Sequence, residues 1–235
     1  MVYAVILAGG SGTRMGTEVP KQFLNICSRP VIIRSADAFL DSGLCDHVII
    51  TVPAEFTDYT RSLIKQYRPD DNTDVIAGGK NRNSSLLNAL EFIKQNKPYN
   101  GDTVVLTHDA VRPFINKRII ADNIKAVREF GGCNTVVKCV DTVLVSDDGK
   151  FISSVPERNK LYNAQTPQSF NFKELLNIYE KMTDDEKENM TDACSVFLKY
   201  GKKVALVDGA QNNIKITYKN DIGRAEQIIL NNTED

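Results

Sequence analysis

Apolar residues gather along this chain in short runs separated by stretches with a helical rhythm. The runs cover residues 2–7, 48–52, 74–76, 103–106, 135–140 and 203–207, and the first consists almost wholly of apolar, mostly branched side chains, as a strand buried on both faces does. Between most of the runs the apolar spacing changes to three and four. Ile32, Ala36, Phe39 and Leu40 make one such stripe, and Leu86, Leu87, Leu90 and Ile93 another. The chain closes on Ile222, Ala225, Ile228 and Ile229, with Asn220 or Asp221 placed to cap that helix. Strand and helix therefore alternate, which predicts an α/β fold with a mainly parallel sheet and helices on both faces. Such sheets bind ligands beyond the carboxyl ends of their strands.

One segment departs from the alternation. Residues 142–146 and 150–154 flank Asp147-Asp148-Gly149, a turn sequence that predicts a β-hairpin. A lone two-stranded hairpin is marginal in water, and this one carries more apolar residues than a solvated arm needs. It should pack on the rest of the domain or on a second copy of the chain. The whole chain, 1–235, then reads as one Rossmann-like three-layer domain with a projecting β-hairpin arm at about 141–163.

Composition narrows the function classes. With 29 basic and 30 acidic residues the formal net charge is −1, so no global field holds nucleic acid or an anionic membrane. Any phosphate binding must be local. Five cysteines without a Cys-x-x-Cys pair disfavour a disulfide framework and a structural zinc site, and predict reduced, mostly buried thiols. The first apolar run has no basic segment before it and is too short to cross a bilayer, so a cytoplasmic protein is expected.

Chemistry enters at the end of the first strand. Leu7-Ala8-Gly9-Gly10-Ser11-Gly12-Thr13-Arg14-Met15-Gly16 brings backbone N–H groups close to a ligand, and Arg14 and Lys21 add positive charge, so a nucleoside triphosphate is the expected guest. Neither common glycine motif fits. Gly16 is followed by Thr17-Glu18 where a Walker A loop needs Lys-Ser or Lys-Thr, and Gly10, Gly12 and Gly16 are spaced wrongly for a dinucleotide fingerprint. A second rim group follows the strand at 103–106. Asp109 has the chemistry of a Mg²⁺ ligand and Arg112 of a phosphate fork, the lesser alternative being that Asp109 caps a helix beginning near Pro113. His108 reads as a hydrogen-bonded structural group, and His47 more so. Gly78-Gly79-Lys80-Asn81-Arg82-Asn83-Ser84-Ser85 opens a helix at about Asn83, and helix starts bind anions. Asn163-Ala164-Gln165-Thr166-Pro167-Gln168 reads as a compact polar turn, with Arg158 before it. Lys215 sits in a strand-like piece, where an inward lysine is costly unless an anion meets it.

Together these motifs resemble the cytidylyltransferases that activate sugar-alcohol phosphates, the methylerythritol-phosphate and ribitol-5-phosphate enzymes. The resemblance rests on Leu7-Ala-Gly-Gly-x-Gly-x-Arg-Met15, Pro20-Lys-Gln22, Gly79-x-x-Arg82-x-x-Ser85, His108-Asp-x-x-Arg-Pro113, Gln165-Thr-Pro-Gln168, Thr191-Asp192 and Asn213-Ile-Lys215, in order along nearly the whole chain. It implies transfer of the cytidylyl group of CTP to an alditol phosphate, by in-line attack without a covalent enzyme intermediate. It implies that Leu7, Ala8, Gly9, Gly10, Gly79, Arg82 and Ser85 hold CTP. Arg14, Lys21 and Lys215 would then stabilise the phosphates catalytically, and Asp109 would help hold Mg²⁺. In the family the arm exchanges between two subunits, so a homodimer is implied, with Thr142 and Arg158 meeting the acceptor phosphate in the partner's site beside Arg112 and Thr166.

The acceptor expected is D-ribitol 5-phosphate, giving CDP-ribitol for a cell-surface polymer such as teichoic acid or capsule. Val111 and Phe114 stand where the ribitol enzymes tend to carry them, Arg82-Asn83, Gln165-Thr166 and Thr191-Asp192-Ala193-Cys194 lean the same way, and Asn212 replaces an acidic residue usual in the methylerythritol enzymes. Lys80 and Asn81 depart from the family pattern too. The alternatives are the methylerythritol-phosphate enzyme of isoprenoid synthesis and, from another class, a non-catalytic nucleotide-binding regulatory protein.

Overall fold

In the computed structural model, which describes residues 1–10, 19–189 and 192–231, the first apolar run becomes β1 (Val2–Leu7), buried along its whole length. The chain continues through a small hairpin, β2 (Asn25–Ile26) and β3 (Arg29–Pro30), into α1 (Val31–Leu40), β4 (His47–Val52), α2 (Thr57–Tyr67), β5 (Thr73–Ala77), α3 (Arg82–Asn96) and β6 (Val104–Asp109). Then follow α4 (Lys117–Phe130), β7 (Gly132–Lys138), β8 (Tyr162–Asn171), α5 (Phe172–Lys181), α6 (Asp184–Asn189), α7 (Ala193–Lys199), β9 (Ala205–Asp208) and α8 (Asn220–Asn231). Seven strands form one sheet in the order β5-β4-β1-β6-β8-β7-β9. Neighbours run parallel except at β8, which is antiparallel to both β6 and β7.

The pleat of β1 explains the three layers. Val2, Ala4 and Ile6 point to one side, where Ile32, Ile33, Ala36 and Phe39 of α1 and Ile119, Ile120 and Ile124 of α4 cover them. Tyr3, Val5 and Leu7 point to the other, against Leu86, Leu90 and Ile93 of α3 and Leu175, Ile178 and Tyr179 of α5. Each fully buried aliphatic or aromatic side chain contributes roughly 1.5–3 kcal/mol, so a strand covered on both faces gains at every position and shows no polar alternation. The expected Rossmann-like, mainly parallel architecture is the one observed.

Several local expectations need correction. The polar turn expected at 163–168 is part of β8, and Gln165, Thr166, Gln168 and Ser169 are buried in it. Polar side chains of this strand find partners on neighbouring elements, as when Asn123 Oδ1 of α4 accepts from Ser169 Oγ at 2.8 Å, so burial leaves no apolar pattern to read. The arm turns back at Asp147–Gly149 as expected, with Asp148 Oδ1 accepting from the Lys150 and Phe151 N–H groups. Its ladder, however, is a single bridge between Val145 and Ser154. The thiols were expected to be mostly buried. All five are free, but only Cys133 and Cys194 are fully buried, and Cys27 is exposed. Asp221 Oδ2 accepts from the Thr217 and Tyr218 N–H groups, tying α8 to the segment before it. No helix among the described residues is long and apolar enough to cross a membrane.

Candidate active site

Parallel pairing brings the ends of three strands to one rim. Leu7 lies beside Thr51 on one side and Asp109 on the other, and Val52 beside Ala77. The glycine loop after β1, the Gly78-Gly79 turn after β5 and the acidic end of β6 therefore share one edge, over a cleft of about 270 Å³. Of the expected residues, Leu7, Ala8, Gly9, Gly10, Lys21, Gly79, Arg82, Ser85, Asp109 and Lys215 line it. Arg14 lies outside the described residues.

The wall from α3 is built by local capping. Asn81 Oδ1 accepts from the Ser84 N–H at 2.8 Å, and Ser84 Oγ accepts from the Asn81 N–H at 2.9 Å, a reciprocal box that starts the helix at Arg82, one residue before the expected Asn83. Ser85 Oγ accepts from the Gly79 N–H at 3.0 Å and donates to the Asn81 carbonyl at 2.8 Å, folding the glycine turn onto the helix start. A methyl group at Gly79 would collide with Ser84, whose backbone carbon would lie 2.8 Å away. On the opposite side Gln22 Nε2 donates to the Ala8 carbonyl at 2.8 Å, fixing the loop after β1.

Charge concentrates on Asp109. Its Oδ1 accepts from Arg82 Nη2 at 3.1 Å, its Oδ2 from Lys215 Nζ at 2.8 Å, and Arg112 Nε stands 4.0 Å from Oδ2. Burial pushes this carboxyl up, but Arg82, Lys215 and Arg112 outweigh it and hold the group well below the usual carboxylate range. Three cations face one carboxylate, so the rim keeps a surplus of positive charge. Arg82 Nη1 and Arg112 Nε are also buried without a protein acceptor. Such unspent donors beside surplus charge suit an anion with several oxygens.

Arg112 and Thr166 stand just behind the cleft. Arg112 Nη1 donates to the Asn213 carbonyl at 2.8 Å, and Thr166 Oγ1 accepts from the Asp109 N–H at 3.1 Å. The helix-capping reading of Asp109 fails, because α4 starts at Lys117 and Asn116 caps it through the Ile119 N–H at 3.0 Å. The strand-like piece around Lys215 joins no sheet; it is tied back by the bond from the Ile216 N–H to the Val111 carbonyl and by the side-chain bonds of Asn213 and Lys215. Thr142 and Arg158 sit on the arm and do not line the cleft of their own chain. Asp192 caps α7 by accepting from the Ser195 N–H at 2.8 Å, and Thr191 lies outside the described residues. Gln22, Lys80 and Asn81 line the cleft without having been named for it, and Val111, named for the choice of acceptor, lines it too. The Asn81-x-x-Ser84 spacing was the signal available for Asn81.

The family model for IspD, 2-C-methyl-D-erythritol 4-phosphate cytidylyltransferase, matches residues 2–231. The chain belongs to this family. A 4-diphosphocytidyl-2C-methyl-D-erythritol synthase from Anaerococcus prevotii is similar to it at 29% identity with a TM-score of 0.80, over 97% of this chain and 98% of that one. The IspD of Francisella tularensis, at 24% identity and a TM-score of 0.80 over 96% and 98% of the chains, supports the fold. The Thermus thermophilus enzyme, at 23% and 0.74 over 96% and 97%, does the same. The cytidylyltransferase membership expected from the motifs stands. The expected service to a cell-surface polymer finds no support among these relatives.

Proposed function

We propose that this cytidylyltransferase moves the cytidylyl group of CTP onto the phosphate of a short sugar-alcohol phosphate and releases pyrophosphate. The observation that carries the proposal is the convergence of Arg82, Arg112 and Lys215 on Asp109 at the mouth of the glycine-lined cleft. In this reading an acceptor phosphate oxygen attacks the α-phosphorus of CTP in line. The new P–O bond forms as the bond from the α-phosphorus to the β-phosphate bridge breaks, and pyrophosphate leaves with that electron pair. The rim supplies position and charge. The loop from Leu7 to Gly10 and the Gly79–Ser85 turn hold the nucleoside, with Arg82 on its phosphates. Arg14, Lys21 and Lys215 stabilise the charge that develops, and Arg112 and Thr166 flank the acceptor.

The donor set also fits a divalent cation. Among the described residues Asp109 is the single carboxylate lining the cleft, and Mg²⁺ is satisfied by one carboxylate with phosphate oxygens and water. Among the described residues no group of three His, Cys, Asp or Glu offers an all-protein site. Bound there through Asp109, Mg²⁺ would neutralise phosphate charge.

The family and the relatives support 2-C-methyl-D-erythritol 4-phosphate as the acceptor over the ribitol phosphate expected from the motifs. D-Ribitol 5-phosphate is kept as a second reading because Val111, where the methylerythritol enzymes tend to carry alanine, lines the cleft two residues from Asp109. Thr142 and Arg158 reach an acceptor only if the arm crosses to a second subunit, and the exposed Phe151 and Ile152 support such a homodimer. Pyrophosphate release is to be measured with CTP, Mg²⁺ and each acceptor in turn. Turnover of methylerythritol phosphate alone upholds the first reading, and turnover of ribitol phosphate alone replaces it with the second. CTP binding with neither acceptor consumed points to a regulatory protein. Arg158→Ala should raise the acceptor KM, and an unchanged KM would remove the arm from the site.

A further inference from the structure

A closed ring of four hydrogen bonds stands behind the cleft. His108 Nε2 is 2.9 Å from the Arg112 carbonyl, and His108 Nδ1 is 2.9 Å from Thr166 Oγ1. The Thr166 carbonyl accepts from Asn213 Nδ2 at 3.0 Å, and the Asn213 carbonyl accepts from Arg112 Nη1 at 2.8 Å, which closes the ring. His108 and Asn213 are completely buried and Thr166 is 5% exposed, which shields the bonds these three residues share with one another.

The partners dictate where the hydrogens lie. A carbonyl can only accept, so Nε2 carries the hydrogen of the completely buried, neutral His108 ring. Nδ1 is then bare and takes the Thr166 hydroxyl hydrogen. The Thr166 oxygen in turn accepts the Asp109 N–H at 3.1 Å. Three segments distant in sequence are tied at fixed spacing: the end of β6 with the turn after it, β8, and the segment that leads from Asn213 to Lys215.

We propose that His108 and Asn213 are positioning residues, which through this ring set Arg112 and Lys215 against Asp109 before substrate arrives. The inference deepens the function proposed above and rests on it. It also redistributes roles at the acceptor side. The Thr166 hydroxyl is spent on His108 and has no hydrogen to give an acceptor phosphate, which leaves the unspent Nε of Arg112 as the donor there.

The test compares His108→Leu, Asn213→Ala and the double variant by steady-state pyrophosphate release and thermal unfolding. Each single variant should lower kcat on the order of 10²-fold with little change in the KM for CTP, as small misplacements of catalytic groups do. The double variant should lose no more than the poorer single one, because either cut opens the same ring. Losses that multiply, or a folded His108→Leu protein with kcat within about twofold of the parent, overturn the proposal. If those variants fail to fold, the tautomer of His108 in the unmodified protein decides. Nitrogen-15 spectra of the unmodified protein at neutral pH separate this inference from the proposed function, since they need no turnover. A hydrogen on Nε2 with a bare Nδ1 supports the ring, and the opposite tautomer refutes it whichever acceptor is used.

Discussion

At the strand-end rim Asp109 is 13% exposed and held by residues 27 and 106 positions away, whereas in the arm Phe151 is 76% exposed and Ile152 62%. The rim is polar and closed by the chain's own long-range contacts. The arm is apolar and held by local ones, the Val145–Ser154 bridge and the Asp148 turn. The contrast teaches that polarity says little about which region is finished. Buried charge is tolerated where three cations meet it, while the apolar side chains of the arm stay exposed on their own chain.

The largest effect expected falls on the rim. Lys215→Met removes the cation 2.8 Å from Asp109 and should lower turnover by about 10²–10³, measured as pyrophosphate release. A loss under about tenfold would move the chemistry away from this cluster.

Acid should weaken the rim before the arm. His108 titrates at an ordinary 6.5 when unfolded and at about 4 when folded, so the unfolded chain takes up the proton first and stability falls as pH drops from 6.5 toward 4. Asp109 is depressed by its cations against the pull of burial, so its contribution is present above 3.8 and is lost below it. Both groups act in the same direction. Denaturant midpoints that stay level from pH 7 to 4 would contradict the buried neutral imidazole.

A smaller effect sharpens the α3 side. Ser85→Ala strips the Gly79 N–H of its acceptor and should cost about 1–3 kcal/mol in chemical denaturation, with weaker CTP binding by calorimetry. The smallest effect on the fold should come from the arm. Phe151→Ser removes a side chain that is 76% exposed and should leave stability within about 0.5 kcal/mol. Sedimentation of the same variant should shift toward monomer. A large loss of stability with no change in mass would mean that the arm packs on its own chain.

Much of this was legible in the sequence, and the exceptions share a cause. The run at 2–7 became β1 with the same bounds, and the glycine loop, Asp109 and Lys215 met at one cleft, because the parallel alternation sends strand ends to one rim. β8 stayed hidden: its polar residues pair with groups on neighbouring elements, such as Asn123 of α4, so their burial leaves no hydrophobic period. His108 read as an ordinary structural histidine for the same reason. Its partners Thr166 and Arg112 come from β8 and from the turn after β6, and only their meeting gives it a direction.

The sequence by itself therefore determined the α/β alternation, the family motifs and the residue types of the phosphate rim, since hydrophobic period and glycine placement are properties of neighbours along the chain. Tertiary structure alone decided that Arg82, Arg112 and Lys215 converge on one carboxylate, and that a hydrogen-bond ring closes behind them. Charge pairing and hydrogen-bond direction depend on distances of about 3–4 Å between residues remote in sequence, and those distances exist only once the sheet has formed.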